Sequence, residues 1–104
     1  MFRWWFNQVL HQLDDDHLGR IAPADVAAAL QREEDVCAVY ITSPDYFGVM
    51  SDIEGIAEVA HAHGVPLLVD NAHGAHLRFL QGEDGRPLHP MQLGADLCCD
   101  SLHK

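Results

Sequence analysis

Positive charge is scarce in this sequence, and lysine is almost absent. The 104 residues hold 6 Lys and Arg against 16 Asp and Glu, which gives a formal net charge of −10 at pH 7. Binding to phosphate backbones and anionic headgroups needs clustered Lys and Arg, so we expect neither nucleic acid nor anionic membrane as a partner. The single lysine is Lys104, the last residue.

Long apolar runs and an even set of cysteines are also missing. No stretch approaches the ~20 apolar residues of a membrane span, and residues 1–6 are too short for a secretion signal and have no small-residue cleavage site. Cys37, Cys98 and Cys99 are an odd number and lie in apolar runs. We therefore expect buried free thiols in a cytoplasmic protein.

Apolar patterning predicts an α/β fold, a fragment of a mostly parallel sheet with flanking helices. The predicted elements are a helix at residues 2–13, a helix from Pro23 to about Arg32, a strand at 36–42, a helix at 51–63, a strand at 65–70, a helical turn at 90–93 and a strand at 96–100. A capping box from Ser51 to Glu54 begins the third of these helices, at residues 51–63, and Gly64 ends it. The strands are continuously apolar, which predicts cover on both faces.

Two polar residues follow strand-like segments and suggest chemistry. Asp70 ends the run at 65–70, and Lys104 follows the last predicted strand. In a parallel sheet both ends lie at the edge where open α/β folds bind ligands. A lysine can form a Schiff base with a carbonyl cofactor, and pyridoxal phosphate needs a carboxylate to keep its ring nitrogen protonated. The alternative is that Asp70 only caps the following turn.

Four motifs together resemble the large domain of pyridoxal-phosphate-dependent enzymes of the aspartate aminotransferase fold, or fold type I. They are TSPDYFG at 42–48, LLVDNAHGAH at 67–76, GAD at 94–96 and SLHK at 101–104. Their order and spacing are most similar to the ornithine, lysine and arginine decarboxylases. The resemblance implies that residues 18–104 are a partial cofactor-binding large domain that ends at the Schiff-base lysine, and it leaves residues 1–17 unassigned.

The resemblance implies three catalytic residues. Lys104 is similar to the Schiff-base lysine, and Asp70 to the partner of the pyridinium nitrogen. His73 is expected beside the phenolic oxygen of the cofactor. Asn71 departs from the acid that is more usual at its place in the motif, and we expect little effect because its side chain alternates away from that of Asp70.

The resemblance also implies cofactor contacts outside these catalytic roles. The methyl group of Ala72 is expected against one ring face, while Ser101 and His103 are expected at the phosphate. No metal is expected, because no Cys or carboxylate is spaced to complete a ligand set with the histidines at 61, 63, 73 and 76. His61 and His63 instead suit the end of a helix, where a partly charged imidazole meets the dipole favourably.

The function implied for the parent enzyme is pyridoxal-phosphate-dependent decarboxylation of a basic amino acid: lysine, arginine or ornithine. An aminotransferase or another lyase of the same fold is the alternative, because Asp and Lys serve them all. A non-catalytic remnant or interaction module is the alternative of a different class. The phosphate cradle and the carboxyl-terminal domain of the family are not in this chain, so whether it is an enzyme alone stays open. The parent is expected to be a homo-oligomer.

Overall fold

The structure is a computed structural model that describes residues 20–45 and 48–102. The helix predicted at residues 2–13 lies outside these ranges. The elements are helix α1 (Pro23–Arg32), strand β1 (Val39–Thr42), helix α2 (Ile53–Ala62), strand β2 (Leu67–Asn71), 3₁₀ helices at Ala75–Phe79 and Pro90–Gln92, and strand β3 (Leu97–Asp100). No helix in these ranges is long and apolar enough to cross a bilayer.

The three described strands form one parallel sheet in the order β1-β2-β3. Asp70 of β2 lies between Thr42 of β1 and Cys99 of β3 in the register of the sheet. Helix α2 connects β1 to β2, and a longer segment with both 3₁₀ helices connects β2 to β3. The predicted α/β class and parallel sheet are confirmed.

The core lies on one face of this sheet. Ile41, Leu67 and Val69 point into it and are at most 3% exposed, and they pack with buried side chains of both helices, such as Val26 and Ile56. Fully burying one such side chain contributes roughly 1.5–3 kcal/mol. Because side chains alternate along a strand, the intervening residues point to the opposite face.

The prediction that the strands are covered on both faces is wrong for the described part of the chain. Only alternate residues of β2 are buried, and Leu97 of β3 is 60% exposed. Cys37 and Cys99 are exposed and Cys98 is half-buried, so the expected burial of the thiols is wrong, although all three are free. The physical reason is that β3 has one neighbouring strand and no layer packs on its outer face within the described ranges.

Helix α2 begins differently from the predicted capping box. Asp52 is the N-cap and accepts a hydrogen bond from the Gly55 amide at 3.1 Å. The Ser51 hydroxyl is buried and accepts instead from the Ile21 amide at 3.0 Å, which joins two distant segments. Glu54 forms an ion pair with Arg86 instead of reaching back to the cap. The Ser51 hydroxyl thus makes a tertiary hydrogen bond with Ile21 in place of the predicted local cap.

The carboxyl end of α2 agrees with the sequence. The helix ends at Ala62, and Gly64 has a φ of 73°, the left-handed conformation that glycine adopts without steric cost. His63 Nδ1 donates to the Val59 carbonyl oxygen at 2.9 Å, and His61 lies in the last turn. The predicted place of both histidines at this helix end is confirmed.

Candidate active site

The carboxyl ends of the three strands meet at one edge of the sheet. Thr42, Asn71 and Asp100 are the last strand residues there. The Ser43 amide donates to the Asp70 carbonyl oxygen at 3.0 Å, which continues the pairing of β1 and β2 past the end of β1. The structure therefore places Asp70 at the edge where the sequence predicts it.

Asp70 is half-buried and lies on the face of the sheet opposite the core. Its Oδ1 accepts from the Ala72 amide at 3.0 Å, so the turn-capping alternative holds for one oxygen. Its Oδ2 lies 3.5 Å from the Tyr40 hydroxyl, at the outer limit of a hydrogen bond. Partial burial, and then the neighbouring Asp70 carboxylate, raise the pKa of Tyr40. Oδ2 can thus accept a further hydrogen bond on the open face.

The other expected site residues follow β2 and β3 directly. Ala72 and His73 come after β2 and are half-buried, and Ser101 comes after β3 and is half-buried too. His103 and Lys104 lie outside the described residues. The roles of these residues stay predictions, while the adjacency of β2 and β3 brings the segments that carry them to one edge.

A network around Asp100 is part of this edge and was not predicted. Asn71 Nδ2 donates to Asp100 Oδ1 at 2.7 Å, and His89 Nε2 contacts Asp100 Oδ2 at 3.1 Å. The thiol of Cys98 donates to Oδ1 at 3.4 Å. Asn71 is fully buried and His89 is 6% exposed. Asn71 is therefore turned away from Asp70, as its alternation predicts, but its side chain has a partner of its own.

The hydrogen-bond donors around Asp100 lower the pKa of this carboxyl group. Burial works to raise the pKa of Asp100, but the hydrogen bonds from Asn71, His89 and Cys98 outweigh it and hold that pKa below its ordinary value. Burial and the adjacent Asp100 carboxylate raise the pKa of Cys98 to about 12. At neutral pH the network is an ionised carboxylate surrounded by hydrogen-bond donors.

The same cluster has the spacing of a metal site, because ligand atoms of His89, Cys98 and Asp100 lie within 4.8 Å of one another. The hydrogen bonds argue otherwise. His89 Nδ1 accepts from the Met91 amide at 3.2 Å, so the ring hydrogen is on Nε2 and faces Asp100. A metal-binding imidazole has the reverse arrangement, with its second nitrogen as a donor, and the Cys98 thiol is protonated. We assign no metal to it.

Sequence signals for this network are partial. Cys98 and Asp100 are two apart on a strand and share a face, and Asn71 is the register partner of Asp100 once β2 and β3 are paired. His89 has no comparable signal, because a loop of irregular conformation brings it to the sheet.

A fold type I cofactor is compatible with the residues present. A protonated ring nitrogen needs a carboxylate oxygen on an accessible face, and Asp70 Oδ2 lies on such a face beside Tyr40. The other carboxylate of this edge, Asp100, lies on the core face with its oxygens already hydrogen-bonded. The structure therefore offers one carboxylate, Asp70, in the position that the sequence predicts.

Several known proteins have sequences similar to this chain. The family model described as O-phosphoseryl-tRNA(Sec) selenium transferase, SepSecS, matches residues 6–81. An arginine decarboxylase of Bacillus subtilis is 40% identical over 98 residues, which are 91% of this chain and 19% of that protein. A sulfhydrylase of Fusarium oxysporum f. sp. lycopersici is 41% identical over 83 residues, which are 77% of this chain and 16% of that protein.

A solved structure agrees with the fold. The chain is similar to pyridoxamine-pyruvate aminotransferase from Mesorhizobium loti, with a TM-score of 0.62 and 24% identity, over 79% of this chain and 19% of that one. The chain thus spans about a fifth of the length of the arginine decarboxylase and of the aminotransferase. It belongs to the family of the SepSecS model and represents part of a pyridoxal-phosphate-dependent enzyme of fold type I, near arginine decarboxylase.

Proposed function

We propose that this chain carries the central part of the cofactor site of a pyridoxal-phosphate-dependent decarboxylase that acts on a basic amino acid, with arginine as the first candidate. The observation that carries the proposal is the Asp70 carboxylate at the end of β2, beside the strand that leads to Lys104. Identity of 40% to an arginine decarboxylase over most of the chain supports the substrate class.

The residues of the chain have separate tasks in this proposal. Pyridoxal phosphate, when bound, supplies the electron sink that accepts the electrons left when the substrate carboxyl group departs as CO₂. Asp70 Oδ2 would hold a proton on the ring nitrogen, and the Ala72 amide orients the carboxylate through Oδ1. Lys104 binds the cofactor covalently and returns a proton to the substrate carbon.

The remaining expected contacts orient the cofactor. Ala72 presents a methyl group, which leaves room for a flat ring above the strand. His73 is proposed at the phenolic oxygen, while Ser101 and His103 are proposed as donors to the phosphate. Residues 18–104 then form a partial cofactor-binding large domain, and the substrate-binding part belongs to the rest of the parent enzyme. Three free thiols support a reducing compartment and hence the cytoplasm.

The test uses Lys104 as the only lysine of the chain. The chain is incubated with pyridoxal phosphate and reduced with borohydride, and the site of attachment is mapped by peptide mass spectrometry. We expect attachment at Lys104, and its loss in Lys104→Arg, which keeps the positive charge but cannot form the bond. Attachment at the amino terminus alone, or attachment at Lys104 no faster than in a denatured sample, would contradict the proposal.

The second candidate is an aminotransferase or another lyase of the same fold, favoured by the sulfhydrylase similarity. The two are separated in the full-length parent enzyme with arginine, lysine and ornithine as substrates. Release of CO₂ is expected for the decarboxylase, and formation of a keto acid without CO₂ for the aminotransferase. A parent that turns over none of these amino acids would support a non-catalytic remnant.

A further inference from the structure

The carboxyl ends of β2 and β3 are joined on the core face of the sheet. Asn71 and Asp100 are register partners, and their side chains form a hydrogen bond of 2.7 Å. Asn71 is fully buried, whereas 35% of the Asp100 side chain is exposed, so this bond lies at the boundary between the core and solvent. The orientation of the amide is determined by its partner, because a carboxylate accepts only and Nδ2 is the donor.

His89 connects a third segment to the same carboxylate. It precedes the 3₁₀ helix at Pro90–Gln92, and the side chain is 8% exposed. The Met91 amide donates to its Nδ1, so Nε2 carries the hydrogen that points to Asp100 Oδ2 at 3.1 Å. Each oxygen of Asp100 therefore has a donor from a different segment of the chain.

The sequence positions of these residues connect the network to the proposed cofactor contacts. Asn71 lies between Asp70 and Ala72, and Asp100 directly precedes Ser101. Both segments that carry the proposed cofactor contacts are thus fixed to one carboxylate. Because Asn71 and Asp100 point to the core face, they lie on the opposite side of the sheet from Asp70 and do not reach its face.

We propose that Asp100 is a positioning residue, which through Asn71 and His89 holds Ser101 and Leu102 at a fixed place relative to Asp70. Its effect on the cofactor rests on the proposed function, while its effect on the two strand ends does not. The expected signature is local: loss of the network frees the residues after β2 and β3 and leaves the amino-terminal edge of the sheet unchanged.

The experiment compares three variants of the full chain. Asn71→Asp places two carboxylates face to face and removes the donor. The double variant Asn71→Asp with Asp100→Asn exchanges donor and acceptor, and the new amide oxygen still accepts from His89. Asp96→Asn is the control, because it makes the same substitution as Asp100→Asn just before β3, at the opposite edge of the sheet, where Asp96 accepts from the Leu67 amide at 2.8 Å.

Two readouts separate positioning from the proposed function. The first is hydrogen exchange at the amides of Ala72 and Ser101, measured at about 10 °C, where typical domains are near maximum stability. We expect Asn71→Asp to speed this exchange by at least about tenfold, as expected for an unpaired buried charge. The second is the rate of borohydride-trapped cofactor attachment at Lys104, which should fall by about tenfold as well, since attachment needs the positioned segment.

The rescue decides the interpretation. The double variant should bring both readouts at least about threefold closer to wild type than Asn71→Asp does, since it restores the donor and acceptor pair. Full recovery is not expected, because the charge moves to the fully buried position 71, where the second side-chain oxygen has no hydrogen-bond partner among the described residues. Asp96→Asn should leave both readouts within about twofold of wild type, because it does not remove the link between the strand ends. If Asn71→Asp fails to fold, the double variant alone decides the question. Exchange in that variant close to the rate of wild type would support the proposal.

Several outcomes would overturn the proposal: wild-type exchange in Asn71→Asp, no protection of Ala72 and Ser101 in wild type, or a double variant that is not rescued. If exchange behaves as expected but wild type is not labelled at Lys104, the positioning role stands and the proposed decarboxylase function fails.

Discussion

Asp70 uses its two oxygens for different purposes. Oδ1 accepts from the Ala72 amide and shapes the turn, and Oδ2 lies on the open face near Tyr40. An isolated aspartate after a strand commonly does only the first. Here the geometry allows both, so the two roles can be separated by substitution.

Asp70→Asn and Asp70→Ala are expected to differ. The asparagine oxygen can still cap the Ala72 amide, whereas alanine leaves that amide without its acceptor. We predict fast hydrogen exchange at Ala72 only in Asp70→Ala, and a loss of at least about a hundredfold in the rate of the full-length enzyme in both variants, because both lose the charge. Near-normal turnover in Asp70→Asn would show that the carboxylate has only the turn-capping role.

The three thiols are expected to react at different rates. Burial and the Asp100 carboxylate raise the pKa of Cys98 to about 12, and only the thiolate is a good nucleophile. Cys37 and Cys99 are exposed. We predict that iodoacetamide at neutral pH modifies Cys37 and Cys99 well before Cys98, as measured by mass spectrometry of intact protein and peptides. Equal rates at Cys98 and Cys99 would mean that the Asp100 network is open in solution.

At the scale of elements, the amino-terminal edge of the sheet has its own connection between β2, β3 and α2. Asp96 Oδ2 accepts from the Leu67 amide at 2.8 Å and lies 2.7 Å from His61 Nε2. One carboxylate just before β3 thus contacts the start of β2 and the last turn of α2. It differs from the Asp100 network in its histidine, because 46% of the His61 side chain is exposed and only 8% of the His89 side chain.

This connection predicts a dependence of stability on pH. The hydrogen bond with His61, and then that from the Leu67 amide, hold the pKa of Asp96 below its ordinary value of 3.8. A lowered folded-state pKa stabilises the fold above the unfolded-state pKa, and this contribution is lost as pH falls from that value through the folded-state pKa. We predict that Asp96→Asn shows less acid destabilisation below about pH 4 than wild type, measured by circular dichroism across pH.

Glu58→Gln is the matched control for this prediction, since Glu58 is an exposed acid of α2 and its replacement removes the same charge. It should follow the acid profile of wild type. An identical profile in Asp96→Asn would mean that the contacts of Asp96 contribute nothing in solution.

Elements also show where local sequence signals were sufficient. The helix at Pro23–Arg32 and the end of α2 before Gly64 follow from proline and glycine positions that act within one turn. The start of α2 does not, because the Ser51 hydroxyl is used by Ile21, which is 30 residues away in the sequence. His89 likewise depends on a loop whose course no periodicity determines. Local rules predicted the elements, and tertiary hydrogen bonds decided the exceptions.

At the scale of the whole molecule, the described sheet has one covered and one open face. Leu97 is 60% exposed and Cys99 beside it is exposed. The carboxyl edge and Asp70 were predicted because strand order and alternation follow from the pattern. The burial of only one face was not predicted. A continuously apolar run is the same in sequence whether the layer that covers its second face lies in this chain or in another part of the protein.

The isolated chain is therefore expected to be marginally stable. Apolar side chains such as Leu97 stay in water, and the outer edges of β1 and β3 have no strand partner among the described residues. We predict a broad, weakly cooperative thermal transition followed by circular dichroism, and self-association that increases with concentration in analytical ultracentrifugation. A sharp cooperative transition in a monomeric sample would contradict this and would indicate that residues outside the described ranges complete the fold.

The alternation of Asp70 and Asn71 across β2 has a consequence for how the strand aligns. A slip of β2 by one residue would exchange the two faces, so that the amide would point to the open face and the carboxylate would meet Asp100. Aspartate and asparagine have the same shape, but aspartate has no donor for Asp100, so the slipped alignment would bring two anions together at a partly buried place. Electrostatic repulsion thus adds to the hydrophobic preference for the native alignment, and it favours the acid on the open face of the sheet.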